Sequence, residues 1–186
     1  MKIYFLTGNR NKYLEAKRIF EEFNLKLDMK RYRKVEIQSN SLEEIVRYAV
    51  LKAAEDFSET FVIEDDGLFI ECLNGFPGPY SAYVYRTLGL VRILKLMEHE
   101  ANRRAYFKSV VGLFIPRLGI RVFTGISEGR ISMKLRGEGG FGYDPIFIPD
   151  GSEKTFAEMS VNEKNRFSHR AKAFRKVCSF LKELRS

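Results

Sequence analysis

Cysteine and histidine are scarce in this chain. Cys72 and Cys178 are the only cysteines among 186 residues. They show no metal-ligand spacing and are too few for a disulfide scaffold, so two reduced, buried thiols in a cytosolic protein are expected. His99 and His169, the only histidines, exclude a His-rich metal site. Long apolar runs are missing too: Val110-Val111-Gly112-Leu113-Phe114-Ile115 is far too short to span a bilayer. The segment Lys2 to Leu6 lacks the apolar core of a signal peptide and reads as a first strand. There is no internal repeat, low-complexity tract or Pro/Ser-rich linker. There is also no G-x-x-x-x-G-K-[ST], which excludes a P-loop.

What remains has the balance of a globular protein, 45% hydrophobic and 30% charged. The length suits one domain, or at most two lobes. The net charge of +8 suits an anionic partner: nucleic acid, a membrane surface or a phosphorylated small molecule. The basic residues are spread along the chain, so charge alone does not choose among them.

Hydrophobic periodicity predicts a helix over Asn11 to Phe23 and an extended stretch from Leu25 to Ile37, polar near Lys30 to Lys34. Ser41-Leu42-Glu43-Glu44 is a capping-box pattern. Leu42, Ile45, Val46, Ala49 and Ala53 then mark the buried face of a helix. Thr60 to Ile63 and Leu68 to Cys72 read as strands flanking Glu64-Asp65-Asp66-Gly67, and Asn74 to Tyr80 reads as a Gly/Pro loop. Ser81 to His99 is helical in pattern. Ala105 to Ile115 and Arg121 to Ser132 read as a hairpin around Arg117-Leu118-Gly119. A Gly-rich loop from Gly137 to Pro145 leads into a short strand, Ile146-Phe147-Ile148, and a last helix runs from Glu163 to Leu184. Interspersed strands and helices place the chain in the α/β class.

Four segments offer chemistry. The turn from Leu6 to Lys12 opens a helix, whose first N–H groups and partial positive charge bind phosphate; an ordinary capped turn has the same look. Three adjacent acids, Glu64-Asp65-Asp66, repel one another unless solvated in a turn or neutralised by a cation, and carboxylates with phosphate oxygens are the usual ligands of Mg²⁺. Glu36, alone, reads as an outward-facing strand residue. The loop Gly137 to Pro145 contains a formal G-x-G-x-x-G but does not open a helix, which excludes a dinucleotide fingerprint. Its Phe141 either stacks on a base or tucks into the core. Lys164 and Ser168, four apart, share a helix face beside His169 and Arg170, as a solvated basic face also would.

In combination these parts resemble one family. T-G-N-R-N-K at 7–12, V-E-I-Q at 35–38, E-D-D-G-L at 64–68, F-P-G-P-Y-S-A at 76–82, G-G-F-G-Y-D-P-I-F at 139–147 and K-N-R-F-S-H-R at 164–170 occur in order. They resemble the inosine triphosphate pyrophosphatases, also called non-canonical purine NTP pyrophosphatases, the Ham1-like family. The resemblance implies an elongated mixed central sheet flanked by helices, two lobes with the active site in the cleft between them, and residues 1–186 as a single domain. It implies a cytoplasmic homodimer that hydrolyses ITP, dITP and XTP to the monophosphate and pyrophosphate with Mg²⁺, with no membrane and no stable nucleic-acid partner.

Roles follow motif by motif. Thr7, Gly8, Asn9, Arg10, Asn11 and Lys12 would hold the triphosphate, with Lys52 adding positive charge. Glu36 and Asp65 would bind Mg²⁺, and Asp65 would act as general base. Asp66 stands where the family often has Ser or Thr. Phe141 would stack on the base, with Gly142, Tyr143 and Asp144 shaping its pocket, while Lys164, His169 and Arg170 would contact the base and nearby phosphate. Donors facing position 6 would favour an oxygen there over the amino group of adenine. The rivals are a pyrophosphatase for other nucleotides and a nucleic-acid-binding protein exploiting the net positive charge.

Overall fold

The computed structural model describes residues 2–184. Among these residues seven strands form one mixed sheet: β1 (Ile3–Leu6), β2 (Leu27–Lys30), β3 (Thr60–Ile70), β4 (Pro77–Gly78), β5 (Arg104–Ile115), β6 (Gly119–Ile131) and β7 (Phe147–Pro149). Their order is β2-β1-β3-β5-β6-β7, with β4 on β3. β1 is parallel to both β2 and β3, whereas β4 and β7 pair antiparallel with β3 and β6. The helices are α1 (Arg10–Glu22), α2 (Leu42–Asp56), α3 (Ser81–Thr87), α4 (Gly89–Leu96), α5 (Val161–Phe167) and α6 (His169–Glu183). The α/β class and the mixed sheet expected from sequence are both present.

The chain divides into two compact units, one comprising 2–65, 109–125 and 170–184, the other 66–108 and 126–169. In the first, apolar residues at helical spacing on α1 and α6 meet alternate residues of β1. Phe5 packs edge-on against Phe174 at 5.4 Å, and Phe20 meets the same ring at 6.1 Å. Ile3, Ile19, Val111, Leu113 and Val177 complete this fully buried core. Leu42, Ile45, Val46, Ala49 and Ala53 form the buried face of α2, as their helical spacing predicted, and Val50 is buried with them. In the second unit Phe107, Phe147 and Phe156 form an aromatic core, with Phe107 and Phe147 centroids 4.7 Å apart.

Several sequence expectations are corrected. Glu64 to Gly67 is no turn: β3 runs unbroken through it. Gly67 is glycine because β4 comes close, and a Cβ there would collide with the Gly78 carbonyl. Turn composition misled because distant residues partner the acids: Lys12 and Arg170 pair with the buried Glu64, and Lys34 with Asp65. The extended stretch from Leu25 to Ile37 forms a strand only over Leu27–Lys30. The helix from Ser81 to His99 breaks in two at Gly89, whose φ is +75°. The last helix breaks at Ser168, extended at ψ 135°. Ser168 is the C-cap of α5, donating its N–H to Lys164 O, so it does not share a helical face with Lys164.

Ser41 caps α2 through Glu44 N, but the reciprocal half of the box is not made. Ser39 Oγ instead accepts the Ser41 N–H and donates to the Glu44 carboxylate. Full capping boxes occur at Thr155/Glu158 and Ser160/Glu163. Cys178 is buried, which pushes its thiol up to about 12, whereas Cys72 is only half-buried. No helix among the described residues is long and apolar enough to cross a membrane.

Gly112 on β5 lies under α2, and a Cβ there would come within 2.5 Å of Val50 Cγ2 and 2.8 Å of Val46 Cγ1. Valines on a helix have one favoured rotamer and cannot swing aside. Gly112→Ala is expected to destabilise the protein by about 1–3 kcal/mol through overpacking, measured as a drop in the urea midpoint; an unchanged midpoint would show that α2 has room to retreat.

Candidate active site

The loop between β1 and α1 is built by its own side chains. Asn9, extended at φ −98° and ψ 106°, caps α1 with its side-chain oxygen, which accepts the N–H groups of Asn11 and Lys12 at 3.0 and 3.2 Å. Thr7 Oγ1 accepts the Asn9 N–H, and the Thr7 N–H is held by Lys30 O on β2. Two first-turn donors of α1 are therefore taken up by the cap. What stays open is the space over Gly8, where a Cβ would meet no heavy atom within 4 Å. Packing does not demand a glycine there; close approach by an outside group would. Arg10 and Asn11 are exposed.

Lys12, in the first turn of α1, is joined to a buried ion-pair system. Its Nζ is 2.9 Å from Glu64 Oε2. Glu64 Oε1 accepts from Ser109 Oγ at 2.8 Å and from Arg170 Nε at 3.1 Å. Arg170 Nη1 donates to Glu15 Oε2. Glu64, Glu15 and Arg170 are all buried, the last 1% exposed. Two carboxylates matched by two cations keep the cluster neutral, the condition for burying any of them. Arg170, expected at the base, is thus committed through Nε and Nη1 to the interior of the first unit.

The neighbouring residue on β3 is placed differently. Side chains alternate along a strand, so Asp65 faces opposite to Glu64. It pairs with Lys34, whose Nζ lies 3.1 Å from Asp65 Oδ1 and 2.9 Å from Glu36 Oε1. Lys34 Nζ also reaches Glu64 O at 3.4 Å. Glu36 and Asp65, the two expected metal ligands, are thus brought together around one cation. They provide hard carboxylate oxygens converging on a positive centre, a donor set that fits Mg²⁺ sharing substrate phosphates and water. No group of three or more His, Cys, Asp or Glu side chains suited to a metal occurs among the described residues. Lys52 lies on α2, 2.8 Å from Glu55, and that hydrogen bond raises its pKa.

The second unit holds the remaining candidates. Lys164 and Asp144, each 3% exposed, form an ion pair at 2.7 Å. Asp144 Oδ2 also accepts the Phe141 N–H at 2.8 Å, and Gly140 adopts φ +70° where a Cβ would strike that carboxylate. Phe141 is half-buried, neither tucked into the core nor fully exposed, and the Lys164 ammonium sits 4.7 Å from its ring centre. Gly142, at φ +60°, lets the loop turn towards Tyr143, whose hydroxyl donates to Ser81 O at 2.9 Å. Burial holds the Tyr143 phenol well above its ordinary range. Ser81, in the F-P-G-P-Y-S-A segment, also ties β3 to β4 by accepting the Leu68 N–H and donating to Gly78 O.

His169 opens α6 within this unit. Its ring stacks on Phe107 at 4.5 Å and 9°, with Nε2 3.5 Å from Asp66 Oδ2. The solvated basic face considered for this segment is excluded, because Lys164, His169 and Arg170 are all buried. Sequence reasoning missed Lys34, Glu15, Ser109 and Phe107. Lys34 had a signal, its place in the polar patch beside Glu36. The other three look like ordinary helix and strand residues and acquire partners only in three dimensions.

The Ham1 family model matches residues 3–180. A dITP/XTP pyrophosphatase of Pyrococcus horikoshii is 50% identical over 182 residues, covering 98% of this chain and 97% of its own. That of Saccharolobus solfataricus is 49% identical over 181 residues, 97% of this chain and 94% of its own. Among solved structures, the Staphylococcus aureus Ham1 protein superposes with a TM-score of 0.83 at 29% identity, covering 98% of this chain and 99% of that one.

Two outcomes follow from the site's electrostatics. Glu64→Gln leaves Arg170 and Lys12 short of a buried counter-charge and is expected to cost about 3 kcal/mol or more in urea unfolding; a loss under 1 kcal/mol would show that water enters the cluster. Glu163 is held down to about 2 by the Ser160 N–H, then by Lys154 and the Ser160 hydroxyl. A depressed carboxylate stabilises the fold above its unfolded value of about 4.5 and ceases to do so as pH falls through about 2. Hydrogen-exchange protection of α5, corrected for intrinsic rate, should fall across that window, and Glu163→Gln should flatten the profile.

Proposed function

The chain belongs to the Ham1 family, and from that premise we propose that it is a nucleoside-triphosphate pyrophosphatase acting on dITP, ITP and XTP. The observation that carries this reading is near full-length identity of about half to relatives named for dITP and XTP. Water adds to phosphorus, the bond between the α and β phosphates breaks, and the products are the monophosphate and pyrophosphate. Removing deaminated purines from the nucleotide pool is the physiological sense. Residues 1–186 act as one catalytic domain, a reading supported by a family match that runs through both compact units. A cytoplasmic homodimer, with no membrane and no stable nucleic-acid partner, completes it.

The phosphates are received by the loop of Thr7, Gly8, Asn9, Arg10, Asn11 and Lys12. The open space over Gly8 and the exposed Arg10 support this. Lys12 and Lys52 offset charge on the leaving pyrophosphate. Glu36 and Asp65 hold Mg²⁺, which when bound neutralises phosphate oxygens and makes a shared water more acidic. Asp65 accepts the proton of the attacking water.

The base is recognised by the residues of the second unit. Phe141 stacks on it, fixed by Asp144 through its backbone N–H. Gly142 and Tyr143 hold the loop in shape. Lys164, a donor only, stands beside the Phe141 ring, and His169 can donate. Both favour a 6-oxygen over a 6-amino group. Arg170 acts chiefly by holding Glu64, and Asp66 by holding His169.

A nucleotide panel tests the reading. With Mg²⁺, kcat/KM for dITP and XTP should exceed that for ATP by about 100-fold, as two mismatched donors imply. Equal turnover of ATP would defeat the specificity. Folded protein that released no pyrophosphate from dITP but bound oligonucleotides in a salt-sensitive way would be a nucleic-acid-binding protein instead. Asp65→Asn should lower kcat by about 10²–10⁴ with an unchanged melting temperature; retained turnover removes Asp65 from the proton-accepting role.

A further inference from the structure

Lys34 has no part in the roles above, yet its ammonium occupies the point on which Glu36 and Asp65 converge. We propose that Lys34 is a tethered, displaceable counter-cation of that carboxylate pair, which weakens binding of a divalent metal to the substrate-free protein. The inference rests on the reading that Glu36 and Asp65 hold the metal.

The geometry excludes simultaneous occupancy. Lys34 Nζ is 2.9 Å from Glu36 Oε1 and 3.1 Å from Asp65 Oδ1, with Glu64 O at 3.4 Å as a third acceptor. These are the contacts of an ammonium that uses its three donors on three oxygens. A Mg²⁺ ion takes oxygens at about 2.0–2.1 Å in an octahedron. An ammonium between the same two carboxylates blocks the position that such an ion needs.

Displacement is mechanically easy. Residues 31–41 lie in no regular element between β2 and α2. The Lys34 side chain is 22% exposed and that of Glu36 54%, so the ammonium can retreat into water along a flexible stem. Asp65 is fixed by β3 and less exposed, at 17%.

The charge balance gives the arrangement its sense. Two carboxylates alone carry −2, an unfavourable pairing at short range. With Lys34 the set is −1; with a divalent cation it is neutral, and the released ammonium adds a positive charge beside it. A neutral or positive set suits a polyanionic triphosphate, whereas −2 repels one. Lys34 thus stabilises the pair before metal arrives and makes stable metal occupancy depend on substrate phosphates that bring further ligands and charge. By linkage, phosphates that raise the affinity for the metal are themselves bound more tightly, by the same factor, once the metal is in place.

The test is Mn²⁺ titration of nucleotide-free protein, with free ion followed by electron paramagnetic resonance. Lys34→Met and Lys34→Gln are expected to bind Mn²⁺ about tenfold more tightly than the unmodified chain, the yield of two partly exposed ion pairs no longer broken. Lys34→Arg, which keeps the charge, should stay weak. Arg33→Met, which removes a neighbouring charge not on the pair, should gain much less. Equal or weaker binding by both neutral Lys34 variants, folded by circular dichroism, overturns the proposal, as does an equal gain in Arg33→Met. Asp65→Asn separates the two readings. If it abolishes Mn²⁺ binding while the Lys34 variants show no gain, only the role of Lys34 is lost. If it binds Mn²⁺ as the unmodified chain does, the metal does not sit on Asp65 and both readings fail together.

Discussion

A carboxylate buried on a central strand must be neutralised, and much of the first unit is arranged to meet that requirement at Glu64. Its partners come from four directions in sequence: Lys12 from the start of α1, Ser109 from β5, Arg170 from the start of α6, and, through Arg170, Glu15 from the second turn of α1. Each alone would be a costly buried charge or an unsatisfied hydroxyl. Together they are neutral and hydrogen-bonded. The cluster therefore cross-links β3, β5, α1 and α6 in one register, and it fixes the direction of the strand residue that follows. With Glu64 turned inward, Asp65 must face the other way, towards Lys34 and Glu36.

The second unit uses the same device on a smaller scale. Lys164 and Asp144 are a buried pair whose desolvation is offset by mutual contact and by the Phe141 N–H. A glycine-rich loop has a high entropic cost of ordering. Asp144 and the Tyr143 hydroxyl bond to Ser81 O hold it in one shape, which is what the base-stacking role proposed for Phe141 requires.

Where sequence patterns rest on local physics, they were legible. The buried faces of α1 and α2, the strand β1, the long hairpin of β5 and β6 and the α/β class followed from periodicity and turn chemistry. Failures came where a distant partner changed the local rule. Glu64 to Gly67 reads as a turn because three acids and a glycine prefer solvent, but salt bridges and the approach of Gly78 make it strand. The breaks at Gly89 and Ser168 interrupt stretches whose apolar spacing is nearly continuous, so periodicity could not see them. The N-terminal loop read both as a phosphate candidate and as an ordinary turn with Asn at a cap; the cap is present, with Asn9 taking two of the loop's donors.

The sequence by itself determined the family, through six short segments in fixed order, and with it the residues from which a site is to be built. Side-chain chemistry is local and travels with the letters: a carboxylate is a cation ligand and a lysine a donor wherever they fall. Only the tertiary structure decided how they are partnered. Arg170, legible as a base-contacting cation, is engaged inside with Glu15 and Glu64, and Lys34, legible only as one charge in a polar patch, sits between the two carboxylates expected to hold a metal. Charges act over a few ångströms of space, not of chain, so which of them meet is set by the packing that brings distant segments together.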